Sequence, residues 1–246
     1  MNFQELKQNT KLTIRDSKPR ISTFTLIFLL IAVVLSFLMS EVVTSGANIT
    51  DSTLDQYYSY YAAGEYEKAM DLASSLRIST DAYLISLAII IVKSILGAGY
   101  KIFAVKTVRK NEQACFGNLL DGFGIAIKWL IMRLIKILLI TLGFMLMVFP
   151  GFFLLYCYRQ SELLLIDNPD WGPIKCLTES RKIMKGRKTE LFRLDMSIIL
   201  WYIFGFIGNM SVLFAFINLA VKPFVTCLQI MYYDSIRTEN PETAVV

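Results

Sequence analysis

Between Ile21 and Met39 the chain carries no charged residue at all. An apolar run of that length matches the roughly 20 residues an α-helix needs to cross the hydrocarbon core of a bilayer. A secretory signal has an apolar region of only about 7–15 residues, so this run reads as an uncleaved first transmembrane helix. Composition extends the conclusion to the rest of the chain. Of 246 residues, 55% are hydrophobic and 18% charged, with a mean hydropathy of +0.51. Water-soluble domains hold roughly 45–50% apolar and about 25% charged residues, and a water-facing globule of this size cannot hide the excess. The absence of histidine removes the usual general base near neutral pH and the commonest metal ligand.

The apolar blocks suggest six crossings. A second span covers Ala82 to Val105, interrupted by Lys93, which is deep and needs a partner, and by Lys101, which lies near an end and can reach the headgroups. From Ile125 to Ile166 the chain is apolar for too long to be one helix. Pro150-Gly151 suits a hairpin bend over Val148 to Gly151, which divides the block into a third and a fourth span. The alternative is one kinked crossing through Pro150, with the stretch before Ile137 lying on the interface. A fifth span runs from about Leu194 to Gly208 and a sixth from Val212 to Tyr232.

Loop charges orient the bundle. Lys7, Lys11, Arg15, Lys18 and Arg20 precede the first span. Lys106, Arg109 and Lys110 follow the second, and Lys175 to Arg193 holds seven more basic residues. With six spans all three segments fall on one side, which the excess of Lys and Arg marks as cytoplasmic. The intervening loop, residues 40–81, carries Glu41, Asp51, Asp55, Glu65, Glu67, Asp71 and Asp81 against Lys68 and Arg77, and so faces outward. The fold class is therefore all-α: a polytopic transmembrane bundle of about six spans with both termini cytoplasmic. Residues 1–20 form a basic cytoplasmic segment, 21–39 the first span, 82–236 the membrane bundle and 237–246 a cytoplasmic tail. Within the outer loop, Leu54 to Leu76 reads as two short helices about a Gly64 turn. One tetratricopeptide-like run, Tyr61 to Ala69, has no second copy and is better read as part of this hairpin.

The segment 167–193 is expected to form a basic cytoplasmic helix in the interface plane. Over Trp171 to Lys185 the apolar Ile174, Leu177, Ile183 and Met184 interleave with cations, and Gly186 ends the helix. Arg181, Lys182, Lys185 and Lys188 are candidate contacts to anionic lipid headgroups, or anchors that complement the helix dipole.

Several motifs in and around this segment carry a resemblance. Asp167-Asn168-Pro169, Ser180-Arg181-Lys182-Ile183-Met184-Lys185-Gly186-Arg187-Lys188, Phe192-Arg193-Leu194-Asp195-Met196-Ser197 and Trp201, with Pro150-Gly151, Pro223 and Tyr232-Tyr233, resemble an uncharacterised bacterial family of polytopic integral membrane proteins. The likeness covers roughly residues 120–236. Leu200 departs from the family's small glycine before the tryptophan, which argues against a close helix crossing there. The resemblance implies a multi-pass protein of the bacterial plasma membrane and implies no activity.

Charges inside the expected spans are the sharpest functional clue. Lys128, Arg133 and Lys136 lie on the third span, Arg159 and Glu162 on the fourth, and Asp195 opens the fifth. A charge at mid-bilayer costs at least about 2.5–3.5 kcal/mol, so these groups must face one another or water. Arg159 and Glu162, three apart, suit one helix face. Two readings follow: a polar, cation-lined cavity for an anionic lipid or solute, or a set of ion pairs that fixes helix packing.

No serine–histidine pair, P-loop or zinc-protease motif is present. The four cysteines show no CxxC spacing, so no disulfide, metal or other cofactor is expected. The expectation is a protein without catalytic activity, acting as an accessory, scaffold or protective membrane component. Its partners would be anionic membrane lipids and another membrane protein, and not nucleic acid. The alternative is a lipid or anionic-solute conduit.

Overall fold

The computed structural model describes residues 3–17, 20–47, 49–76, 78–109, 115–210 and 217–239. Lys18, Lys110 and the tail beyond Glu239 lie outside them. Among the described residues the regular structure is entirely helical. The helices are α1 (Phe3–Asp16), α2 (Ile21–Gly46), α3 (Asp51–Ala62), α4 (Tyr66–Ser75), α5 (Thr80–Val108), α6 (Asn118–Asp121), α7 (Ala126–Leu146), α8 (Val148–Cys157), α9 (Ser161–Asp167), α10 (Pro173–Ile183), α11 (Lys188–Ser197), α12 (Ile199–Met210) and α13 (Ile217–Glu239), with a 3-10 turn, Gly122–Ile125, between α6 and α7.

Among the described residues three helical stretches are long and apolar enough to cross a membrane: Ile21–Gly46, Thr80–Val108 and Asn118–Leu146. The other expected spans take different forms. The fourth is divided by a turn over residues 158–160, leaving α8 with 10 residues and α9 with 7. At 1.5 Å per residue, α8 alone reaches only about half of a 30 Å hydrocarbon core. The fifth corresponds to α12, 12 residues long. Helix α13 has the length, at 23 residues, but holds Lys222, Asp234 and Arg237.

The chain forms two compact units, Met1–Leu29 with Ile95–Val246, and Leu30–Ser94. In the second unit the Ser79 backbone N–H donates to the Gly46 carbonyl at 2.9 Å. Lys93 Nζ donates to Ser36 Oγ at 2.8 Å, a hydroxyl in place of a counter-ion. Helices α3 and α4 flank Gly64, whose φ of 75° suits a residue without a Cβ. Thr50 and Thr53 cap α3 reciprocally, and edge-on and stacked contacts link Tyr57, Tyr58, Tyr61 and Tyr66.

In the first unit α7 and α8 form a tight antiparallel hairpin whose reversal falls at Met147, an extended residue, one position before the expected bend. Pro150 instead sits in the first turn of α8, where its missing N–H has no helical acceptor to lose. Gly151 serves the packing: a Cβ there would lie 2.4 Å from the Phe144 ring. A similar close approach joins α5 to the turn before α7, where a Cβ on Gly122 would meet the Ile95 carbonyl oxygen at 2.4 Å.

The core of this unit is built from Phe24 stacked on Phe103 at 3.7 Å, with Tyr100, Trp129, Leu165, Met184, Leu194 and Tyr232 buried. Helix α10 packs its apolar face against α9, α7 and α8, so Leu177, Ile183 and Met184 are interior and only Ile174 of the expected interfacial set is exposed. Cations and apolar residues do alternate as a surface helix requires, but neighbouring helices take up the apolar stripe. Leu200 points away from the packing, 64% exposed, while Trp201 stacks on Phe224 at 4.5 Å.

Candidate functional site

The candidate site is a set of ion pairs organised by the break between α8 and α9. Helix α8 ends at Cys157, and the Tyr158 and Ser161 amides close the turn by donating to the Leu154 and Tyr158 carbonyls at 3.0 and 3.4 Å. Because the helix is interrupted there, Arg159 and Glu162 do not share a face. The expected pair between them is replaced by two separate sets of partners.

Glu162 lies in the first turn of α9, where a negative charge complements the helix dipole. Its side chain is 6% exposed and accepts from Lys101 of α5 and Lys136 of α7, while Arg133 Nε stands 3.7 Å away. Lys101 and Arg133 also lie 5.9 and 5.8 Å from the centre of the Trp129 ring, which is itself buried. One carboxylate therefore gathers cations from two helices.

Arg159 turns the other way. Its Nη2 donates to Tyr202 Oη at 2.8 Å and stands 3.6 Å from Asp195 Oδ1. Tyr202 Oη in turn donates to Asp195 at 3.0 Å and accepts from Gln229 Nε2 at 3.3 Å. This set joins the α8–α9 turn to α11, α12 and α13.

A third set closes the other end of α9. Asp167 accepts from both Arg109 terminal nitrogens, at 2.7 and 3.1 Å, from Tyr233 Oη at 3.0 Å and from Arg237. Arg109 also donates to Asp234 at 2.6 and 3.2 Å. Burial disfavours the Arg109 charge, but hydrogen bonds to Asp234 and Asp167 outweigh it and hold the guanidinium above its ordinary value. The Asp167-Asn168-Pro169 turn thus divides its labour. Asp167 binds the two arginines, and Asn168 ends α9 through backbone and side-chain bonds to the Leu164 carbonyl. Downstream, Ser180 Oγ donates to the Cys157 carbonyl at 2.8 Å, and Gly186 adopts a φ of 81° beyond α10.

The six residues expected to line one cavity are thereby distributed. Arg133, Lys136 and Glu162 meet, and Arg159 and Asp195 meet. Lys128 belongs to neither group, since its Nζ donates to the Pro169 carbonyl. Lys101, expected to reach the headgroups, instead lies against Glu162. Arg181, Lys182 and Lys185 are exposed, with Lys182 2.7 Å from Glu179, and Lys188 lies 4.3 Å from the Phe153 ring centre. The Arg109 set was not anticipated. Its only sequence signal is Asp234 and Arg237 at helical spacing near the chain end. Among the described residues no group of three or more Cys, Asp or Glu could hold a metal ion.

Residues 136–240 match the family described as protein of unknown function, DUF975. The DUF975 region begins at Lys136 and includes Glu162, Arg159, Asp195, Tyr202, Gln229, Asp167, Asp234 and Arg237. Lys101, Arg109 and Arg133 come from outside it, so each set around α9 except that of Arg159 combines residues of the matched stretch with residues from the segments before it. No curated protein and no solved structure matches the chain.

Proposed function

We propose that the protein is a multi-pass component of the bacterial plasma membrane, crossing it about six times with both termini in the cytoplasm. In this reading it acts without catalysis, as an accessory, scaffold or protective partner of another membrane protein. The observation that carries this reading is the commitment of the intramembrane charges to one another. Glu162 takes Lys101 and Lys136, and Asp195 takes Arg159 and Tyr202, so the ionic groups serve to join helices. A wide conduit for anionic lipids or solutes would need those cations facing open volume. The orientation is supported by contacts at one end of the first unit. Lys7 donates to the Ser197 carbonyl at 3.0 Å, α1 packs on α13, and Arg109 meets Asp167 and Asp234. These contacts gather the N-terminal segment and the ends of α5, α9, α11 and α13. Exposed Arg181, Lys182 and Lys185 then serve as headgroup contacts on the cytoplasmic leaflet.

Three experiments test the reading. Cysteines placed at Arg133, Lys136 and Arg159 should resist a charged thiol reagent added from the cytoplasmic side, and rapid modification of all three would favour the conduit. Copurification in mild detergent should recover a membrane-protein partner together with bound anionic lipid. A monodisperse, partner-free and lipid-free protein would refute the accessory role. Reporter fusions at Thr53 and Ser180 should fall in opposite compartments.

A further inference from the structure

The hairpin of α7 and α8 ends in a tip without polar side chains. From Leu142 to Leu155 no residue carries a charged, hydroxyl or amide side chain. Met145, Leu146, Met147, Val148 and Phe149, at the reversal, are 61–86% exposed. A tip that emerged into water would leave these five apolar side chains wet, which the hydrophobic effect opposes. The reversal itself takes little room: a Cβ on Gly143 would lie 3.1 Å from the Gly151 Cα, so the two backbones touch. It also leaves few backbone donors open. The Met147 N–H donates to the Gly143 carbonyl at 3.1 Å and Pro150 has no N–H, so of the amides that a helix start leaves without helical acceptors only those of Val148 and Phe149 remain. That economy suits hydrocarbon, where an unsatisfied backbone group is costly.

Packing against the basic connector, residues 167–193, limits how far the tip can reach. Lys188 Nζ lies 4.3 Å from the Phe153 ring centre, Phe192 meets Tyr156 edge-on at 6.2 Å, and Ser180 Oγ donates to the Cys157 carbonyl. From Phe153 back to Met147 is about 9 Å of helix at 1.5 Å per residue, whereas the hydrocarbon core is about 30 Å thick. With the Lys188 ammonium at the hydrocarbon boundary, the tip falls short of the bilayer midplane. Helix α7 has the length to cross, but Lys128, Arg133 and Lys136 occupy its first half and only the part beyond Lys136 is free of charge.

We propose that α7 and α8 form a re-entrant hairpin. It enters the leaflet on the side of the basic connector, turns at Met147 among the acyl chains of that leaflet and returns to the same face. The partner of the exposed tip is thus lipid hydrocarbon, and the hairpin anchors the chain in one leaflet. The inference rests on the cytoplasmic placement of the connector proposed above. It takes two from the crossings counted there and moves no charged connector to the other side.

The test uses the full-length protein carrying Cys115→Ser, which removes its exposed thiol, and one cysteine at the tip, Phe149→Cys or, separately, Met145→Cys. Both tip positions are exposed, so neither substitution disturbs the core. In intact bacteria and in inside-out vesicles a membrane-impermeant maleimide should label neither cysteine, while both should label fully in dodecyl sulfate. A nitrobenzoxadiazole fluorophore on either cysteine is then followed in purified protein reconstituted into phosphatidylethanolamine–phosphatidylglycerol vesicles. Nitroxides on the acyl chains should quench it, and a nitroxide on the headgroup should not. Labelling from outside would overturn the proposal by revealing a full crossing, and labelling from inside would do so by placing the tip in the cytoplasm. An unlabelled tip that acyl-chain nitroxides fail to quench would overturn it too, since protein and not lipid would then cover the tip. A reporter at Ser180 found outside would sink the orientation instead, and the quenching would still decide the hairpin.

Discussion

Replacing Glu162 by glutamine removes one negative charge and changes almost nothing in shape. The amide keeps one acceptor and turns the other into an NH2 donor facing an ammonium, so the loss reads the charge together with one hydrogen bond. Around it remain Lys101 and Lys136, with side chains 30% and 18% exposed, and Arg133 at 41%. Breaking a buried ion pair by deleting one partner costs about 3–5 kcal/mol, because the remaining charge is left uncompensated. The contribution of Arg133 is screened by its exposure and adds at most about 1 kcal/mol. For a chain of this size each kcal/mol moves the unfolding midpoint by about 2–4 °C, so Glu162→Gln should lower it by roughly 6–20 °C. The measurement is a thermal melt in detergent micelles. The double variant Glu162→Gln with Lys136→Met should recover part of the loss, since it removes both members of the more buried pair. A midpoint drop below about 2 °C, or single effects that simply add in the double variant, would refute the view that these ions hold the helices together.

Further expectations follow from other contacts in the fold. Gly122→Ala should destabilise by about 1–3 kcal/mol in denaturant unfolding, because its Cβ would lie 2.4 Å from a backbone oxygen that cannot move cheaply. Gly97→Ala, on α5, meets open space and should stabilise by about 0.5–1 kcal/mol through helix propensity, so equal effects would contradict the packing. Arg109→Lys keeps the charge but loses the planar fork that spans Asp167 and Asp234. It should increase proteolytic cleavage near the end of α13 and lower stability by about 1–2 kcal/mol, whereas unchanged cleavage would mean the fork is dispensable. A membrane-impermeant maleimide should label Cys115 alone in the folded protein. Cys157, Cys176 and Cys227 are buried, burial also pushes the Cys176 thiol up, and these three should react only on unfolding.

The helices were legible in the sequence because long apolar blocks and their basic flanks are local signals. Ile21 begins α2 where the charge-free run begins, although the helix continues past Met39 to Gly46. The two short helices about Gly64 were legible for the same reason. Partner choice was not. Arg159 and Glu162 look like an i,i+3 pair until a turn separates them, and nothing local announces that turn. Lys101 looked like a snorkelling end residue because its proximity to Glu162, 61 positions away, depends on how α5 packs against α9. The approach of Gly99 to Gly122 likewise joins α5 to the turn before α7 and leaves no GxxxG pattern in either one. Ionic residues in the expected spans have one another or water to face, since hydrocarbon permits little else, and which of them pair is fixed by tertiary geometry.

The turn over residues 158–160 has a consequence for how such a chain tolerates length changes. Each α-helical residue advances the side-chain direction by about 100°. One amino acid inserted into or deleted from that turn would swing Glu162 off the lysines and Asp167 off the arginines in the same motion. Substitutions there lose single contacts, but an indel would mis-clock the whole of α9. The exposed joint at Gly64 carries, among the described residues, only the local Glu65–Lys68 ion pair, and spacing variation should be absorbed there instead.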